Sequence, residues 1–395
     1  MRIKMKGLKK VLAGALALTM CLATTLTTIA GTGGTPANPA EAKLSKTVKY
    51  AEGLATPVAT FTFEFAKASK DGITTPAMLA NVPALANTAI NFTAADTETA
   101  VGGVVSITKN TTDLLAGIDW ENDGDGAGTY VWTVTEQASG TTLGTGESMD
   151  YSQASFLLIV KVAYDSGTNS YYVESTHTDQ VTNNAGTPAT GKGGANTDDL
   201  DYNFTFTNLF SKQGGGNPGG GEGNNEALSI DKVVVNPVNP NKDFTFTMTL
   251  DDSAAKHTPG TYEGTIYNGA TATSTTQSVT AGVAATFKLK DGQRLVFHDV
   301  PVGTVVNVTE TGETGYTPAI SGMVTVNTGT DGGNLSTGNA TVATGENKVI
   351  FTNTYATGTI PTGVLANNLP MIALILTGLL AVALFAVVNK RKAMR

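Results

Sequence analysis

The chain has 395 residues and one cysteine, Cys21. That cysteine lies in an N-terminal segment where Arg2, Lys4, Lys6, Lys9 and Lys10 precede an apolar run from Val11 to about Ala30. Such a segment reads as a secretory signal peptide, placed here at residues 1–42. Its cut is expected after Ala42 in Ala40-Glu41-Ala42, or earlier after Ala30. Met20 before Cys21 is not the small residue a lipoprotein signal needs. The exported chain then holds no cysteine, which excludes disulfides and requires another source of stability. Basic residues are scarce too. Segment 43–362 keeps 16 of them against 32 acids, a net charge of −16. This argues against nucleic acid and anionic membranes as partners. Histidines are few and scattered (His177, His257, His298), without metal-ligand spacing. No G-x-S-x-G, phosphate-loop or dinucleotide fingerprint occurs, so no cofactor, no metal and no turnover of an external substrate are expected. The acidic stretch D-W-E-N-D-G-D-G at 119–126 opens like a calcium loop, but its twelfth position is Tyr130 and not a bidentate Glu. It reads as a solvated turn.

Helix-length apolar periodicity is also rare. What the chain does have is Thr, Val, Gly, Asn and Ala in short alternating runs, bounded by Gly, Asn, Asp and Pro, the pattern of an all-β protein. The runs recur in order. Residues 43–210 read L-S-K, A-T-F-T-F-E-F, G-T-Y-V-W-T-V-T-E and N-F-T-F-T-N. Residues 227–357 read S-I-D-K, K-D-F-T-F-T-M, G-T-V-V-N-V-T-E and V-I-F-T-N. Two tandem β-sandwiches are therefore expected. Between them the glycine-rich stretch 211–226 is expected to be a flexible linker. Phe61, Phe63, Phe244 and Phe246 are assigned to the cores.

Three polar residues per repeat sit on faces that should be apolar: Lys46, Glu136 and Asn208, then Lys232, Glu310 and Asn353. Lys46 is in phase with Leu44 and Val48, and Lys232 with Leu228, Ile230 and Val234. Glu136 shares a face with Tyr130, Trp132 and Val134, and Glu310 follows Val306 and Val308. Asn208 follows Phe204 and Phe206, and Asn353 follows Val349 and Phe351. Alternate residues of a strand point the same way, so all six should face inward. A lone buried Lys or Glu is costly unless paired or neutral. Three such groups in one dry core suggest an amide cross-link from Lys to Asn, assisted by Glu. The competing account is a buried Lys–Glu ion pair with an Asn that caps a loop. Lys49 lies on the opposite face from Lys46, which makes Lys46 the preferred nucleophile.

At the other end, Leu369 to Val388 is uncharged and long enough to span a bilayer, with Lys390, Arg391, Lys392 and Arg395 behind it. Before it stand Ile360, Pro361, Thr362 and Gly363. Together, residues 358–395 resemble a Gram-positive cell-wall sorting signal. The motif departs from the commonest L-P-x-T-G and is similar to the x-V-P-T-G of some pilins. In such signals a sortase cysteine attacks the carbonyl of the threonine, here Thr362, and an amine resolves the acyl-enzyme. The membrane would hold only the precursor.

With these residues in view, the chain resembles the streptococcal T-antigen-type backbone pilin family. The likeness is tightest over L-K-D-G-Q-R-L-V-F-H-D-V-P-V-G-T-V-V-N-V-T-E at 289–310 and F-T-N-T-Y-A-T-G-T-I-P-T-G. It implies immunoglobulin-like (CnaB-like) sandwiches, each closed by a spontaneous isopeptide bond. Carried over, Lys46 and Lys232 are the amine donors, Asn208 and Asn353 the amide acceptors, and Glu136 and Glu310 the catalytic acids. A protonated Glu is expected to hydrogen-bond the amide oxygen while ammonia leaves. The implied role is a structural surface protein, a pilus shaft subunit joined by sortase to neighbouring subunits or to peptidoglycan. The alternative is a monomeric wall-anchored adhesin. A flexible linker counts against a shaft. The acceptor amine of a shaft is assigned to Lys192, in the loop G-T-P-A-T-G-K-G-G, although its surroundings do not match the family. No host ligand is legible.

Overall fold

A computed structural model of the chain describes residues 33–137, 140–192, 204–217 and 225–356. Most of the signal segment, the stretch 218–224, the motif Ile360–Gly363 and the apolar span lie outside the described residues. Among the described residues no helix is long and apolar enough to cross a membrane.

The first half forms β1 (Leu44–Ala51), β2 (Ala59–Lys70), a one-turn helix α1 (Pro76–Ala80), β3 (Thr88–Phe92), β4 (Val104–Asn110), β5 (Gly128–Gln137), β6 (Glu147–Asp150), β7 (Ser155–Asp165), β8 (Ser170–Thr182), β9 (Pro188–Lys192) and β10 (Phe204–Lys212). They make two sheets, ordered β4-β1-β10-β6 and β3-β2-β5-β7-β8-β9. The second half forms β11 (Leu228–Val235), β12 (Phe244–Asp251), β13 (Thr261–Asn268), β14 (Thr271–Thr280), β15 (Ala285–Leu289), β16 (Gln293–Phe297), β17 (Val305–Glu310), β18 (Tyr316–Gly322), β19 (Asn327–Thr328), β20 (Leu335–Ser336), β21 (Ala340–Thr341) and β22 (Lys348–Tyr355). Its sheets are β14-β13-β16-β11-β22-β18-β19 and β15-β12-β17-β20, with β21 also on β17.

The alternation of apolar and polar residues builds each core. On β2, Ala59, Phe61, Phe63 and Phe65 are buried while Glu64 points outward; β12 repeats the pattern with Phe244, Phe246, Met248 and Leu250. Phe61 and Phe63 belong to one apolar cluster and Phe244 and Phe246 to another, so each half has its own core. Fully burying one such phenylalanine is worth about 1.5–3 kcal/mol.

The first and last strands of each half lie side by side. β1 pairs in parallel with β10, and β11 in parallel with β22. Parallel neighbours need a long crossover, and here the rest of the sandwich is that crossover.

The described flanks of the glycine-rich stretch are pinned, contrary to the expectation of a loose linker. Ser211 and Lys212 belong to β10. The Gly214 N–H donates to Val300 O at 2.9 Å, and the Val302 N–H to Lys212 O at 2.8 Å. The Asn225 amide donates to Gly214 O and His298 O. His257 of the second half also reaches the first: its main-chain N–H donates to Asp150 at 2.6 Å, and its Nε2 lies 2.9 Å from Thr207 O. Glycine lets the backbone approach closely enough for such pairing; a side chain at Gly215, whose φ is +87°, would meet the Asn225 side chain and the Glu226 carbonyl.

Lys192 is likewise not in a loop. It ends the edge strand β9, opposite Asp179 of β8. In the acidic turn, Asp119 accepts from the N–H groups of Glu121 and Asn122 and from the Asn122 amide, so its oxygens serve the turn itself.

Candidate functional site

Parallel pairing positions both trios. Across β1 and β10, Lys46 stands opposite Phe206 and Val48 opposite Asn208. Across β11 and β22, Lys232 stands opposite Phe351 and Val234 opposite Asn353. In each case the asparagine is two residues further along, so lysine and asparagine emerge on the same face of their sheet. The acid comes from the facing sheet: Glu136 pairs with Phe63, and Glu310 with Phe246. The asparagines lie within strands and do not cap loops.

The lysines are fully buried. Lys46 and Lys232 have 0% and 1% of their surface exposed, and the side chains of Glu136 and Glu310 have 0% and 1%. Lys49, facing the other way, is only partly buried. Each ammonium lies over a phenylalanine ring, Lys46 over Phe61 at 4.5 Å and Lys232 over Phe244 at 4.4 Å. That contact offsets part of the desolvation cost. Phe63 packs on Phe206 at 5.1 Å and Phe246 on Phe351 at 5.2 Å, closing the floor of each site.

In the first trio the Lys46 Nζ donates to Glu136 Oε2 at 2.7 Å, and the Asn208 Nδ2 donates to Oε1 at 2.6 Å. The Asn208 Oδ1 accepts the main-chain N–H of Ser152 at 2.7 Å. In the second trio Lys232 lies 3.0 Å from Glu310 Oε1, and the Asn353 Nδ2 donates to that same oxygen at 2.7 Å. Glu310 Oε2 and Asn353 Oδ1 find no hydrogen-bond partner among the described residues. In both trios the acid contacts the amide nitrogen, not the amide oxygen as expected from the resemblance. An ionised carboxylate can only accept, and of the two ends of the carboxamide only the nitrogen can donate.

Burial sets the electrostatics. Desolvation pulls Lys46 and Lys232 down to about 8, against the attraction and hydrogen bond of the partner glutamate. Desolvation pushes Glu136 and Glu310 up from the ordinary glutamate value, against the pull of the lysine and the asparagine. The two shifts bring amine and acid toward each other, which lowers the cost of passing a proton from Lys to Glu. The neutral amine is a nucleophile, the carboxamide carbon an electrophile, and the protonated acid lies on the nitrogen that would leave.

Sequence reasoning missed the Ser152 N–H. Ser152 follows β6, and its hydroxyl donates to Asn184 Oδ1 at 2.7 Å. Neither residue repeats in the second half in a way that would have drawn attention.

The family model that matches the chain is a domain of unknown function (DUF7601), over residues 226–355. No curated protein matches. Among solved structures, the chain is similar to the major pilin of Streptococcus pyogenes, at 20% identity, covering 80% of this chain and 99% of that one, with a TM-score of 0.31. A second S. pyogenes major pilin, T3.2, is similar at 18% identity, 80% and 98% coverage and a TM-score of 0.29. A Mobiluncus mulieris adhesin containing disulfide, isopeptide and ester cross-links is similar at 10% identity, 79% and 99% coverage and a TM-score of 0.24. At these scores the likeness adds no weight to a functional reading, which rests on the two trios.

Proposed function

We propose that this chain is a structural protein of the Gram-positive cell surface whose two sandwiches each close themselves with a Lys–Asn isopeptide bond. In each, the neutral lysine amine adds to the side-chain carbonyl carbon of the asparagine. The glutamic acid carries a proton from the amine to the amide nitrogen. The carbon–nitrogen bond breaks and ammonia leaves, with the acid regenerated. Each domain reacts once with itself, so there is no turnover and no cofactor. The observation that carries this reading is the duplicated geometry: first and last strands in parallel, lysine and asparagine offset by two residues, and one buried glutamate within 3.0 Å of both nitrogens. The bonds would do for an exported, cysteine-free chain what disulfides do for others.

The finer role is a pilus shaft subunit, cut after Thr362 by sortase and joined to a lysine of the next subunit. The sorting motif of the sequence supports it, and the pinned flanks of the glycine-rich stretch weigh against a hinge there. Lys192, at the end of an edge strand, is the proposed acceptor. The intact mass of recombinant 43–362 tests the bonds: the loss of two ammonia equivalents is expected, with Glu136→Ala and Glu310→Ala each restoring one. A full calculated mass for the unmutated protein would sink the reading. A boiled wall extract tests the shaft. A covalent ladder with Thr362 joined to Lys192 is expected, whereas a single band linked only to peptidoglycan would make the protein an anchored monomer.

A further inference from the structure

We propose that the main-chain N–H of Ser152 is a catalytic group of the first site, and that the second site, lacking such a donor, closes more slowly. This rests on the self-closing reading above. When the Lys46 amine adds to Cγ of Asn208, a nitrogen–carbon bond forms and the carbonyl π pair moves onto Oδ1. That oxygen carries a full negative charge until Nδ2, protonated through Glu136, departs as ammonia and the carbonyl re-forms. No oxidant, reductant or further reactant enters. A donor already aimed at the oxygen stabilises the charge without reorganising, and does so most strongly where water is excluded. The Ser152 N–H is 2.7 Å from Oδ1 in a buried setting. Glu136 is occupied with the two nitrogens, Oε2 on Lys46 and Oε1 on Asn208. The first site therefore divides the work: the carboxyl serves the nitrogens and the peptide serves the oxygen.

The donor is held in place from several sides. The Ser152 hydroxyl accepts the Ala154 N–H at 3.1 Å and donates to Asn184 Oδ1 at 2.7 Å. The Gln153 N–H donates to Asn184 O at 2.9 Å. The same Asn184 Oδ1 accepts the N–H of Thr207 at 3.0 Å, one residue before Asn208. Asn184 thus ties the turn after β6 to the strand that carries the reacting amide and acts as a positioning residue. Among the described residues the second site has no counterpart. Asn353 Oδ1 has no partner among the described residues, and the residue paired with Asn353 on β18 is Pro318, which has no N–H.

The test follows the two bonds separately. The full-length chain is synthesised in a cell-free reaction with detergent micelles, pulse-labelled and sampled into acid. Digestion and mass spectrometry then report the 46–208 and 232–353 linked peptides over time. The first should form faster, by on the order of a hundredfold, the effect of one oxyanion donor. Ser152→Pro, without an N–H, should slow the first bond by the same factor and leave the second unchanged. Ser152→Gly, which keeps the N–H but loses the hydroxyl that holds the turn, should close at an intermediate rate, faster than Ser152→Pro, so that the difference between the two variants reports the N–H itself. Asn184→Ala, which loosens the turn without adding a proline, should slow the first bond to an intermediate rate, and it serves where Ser152→Pro fails to fold. Equal rates at the two sites, or undiminished closing in Ser152→Pro or Asn184→Ala, would overturn the assignment while leaving the bonds themselves. No linked peptide in any variant would overturn both.

Discussion

In the first trio Glu136 spreads its two oxygens over a lysine and an asparagine, and a peptide N–H takes the remaining amide oxygen. In the second, both nitrogens crowd onto one oxygen of Glu310, and two buried oxygens go without partners among the described residues. Residue types, strand positions and the supporting phenylalanines are the same. The difference comes from the segment beside the last strand, a turn that offers an N–H in one sandwich and a strand with Pro318 in the other. Three side chains thus specify which groups meet, while the neighbouring backbone decides how completely they are satisfied. An unpartnered buried acceptor costs about 1–3 kcal/mol, so the second site is the less fully satisfied of the two.

The largest effect that tests this contrast is on stability. A bond between first and last strands removes most of a sandwich's loop entropy from the unfolded chain, about 5 kcal/mol by analogy with a disulfide. Asn208→Ala and Asn353→Ala should each cost about that much, read from urea midpoints. Asn208→Ala should cost more, because it also strands the Ser152 N–H. Equal losses would erase the contrast between the sites, and no loss in either would remove the cross-links.

Next is the pH dependence of the lysine variants. Lys46→Ala leaves Glu136 buried without the cation that pulled it down, so its pKa stays raised. The folded state then binds a proton more readily than the unfolded state. Stability should be greatest at or below the 4.5 of an ordinary glutamate and fall as pH rises above it. Lys232→Ala should behave alike through Glu310, whose shift has the same direction and cause. A stability that rises with pH over that range would contradict the burial of these acids.

The closing rates should share one pH limit even while they differ in size. The reaction needs one proton between amine and acid. Both lysines are pulled down to about 8, so the formation of both linked peptides should slow as pH rises above that value. Measurement of both peptides on either side of it checks this; acceleration at high pH would indicate that free amine alone is limiting. The smallest effect belongs to the rings. Phe61→Leu and Phe244→Leu remove the contact under each ammonium and should cost about 1 kcal/mol apiece beyond the change in packing. Calorimetry of each variant in an Asn208→Ala or Asn353→Ala background, where the lysine stays unlinked and keeps its glutamate, isolates it.

Much of this site was legible in the residues. Alternation put Lys46 with Leu44 and Val48, and Lys232 with Ile230 and Val234, on faces that are in fact buried. The repeated order of Lys, Glu and Asn named the partners, because duplication makes a chance placement of six polar residues on apolar faces improbable. The all-β class followed from the same short runs. These are local properties, carried by a period of two and by residue type.

Other features depended on contacts between distant segments. The two-residue offset between lysine and asparagine is a matter of register between the first and last strands, which no local pattern specifies. That the acids meet the amide nitrogen depends on which atom can donate once all three groups are placed. Lys192 reads as a loop among glycines, yet pairing with β8 makes it the end of a strand. The flanks of the glycine-rich stretch read as slack, yet backbone pairing with residues 300–302 fixes them. Ser152 left no trace at all, because every residue but proline has a main-chain N–H. Only the folded chain decides which one is buried and aimed at an amide oxygen. The sequence by itself determined which side chains would meet in the two cores. The tertiary structure decided what the backbone around them would contribute, since hydrogen-bond direction is a property of relative position and not of composition.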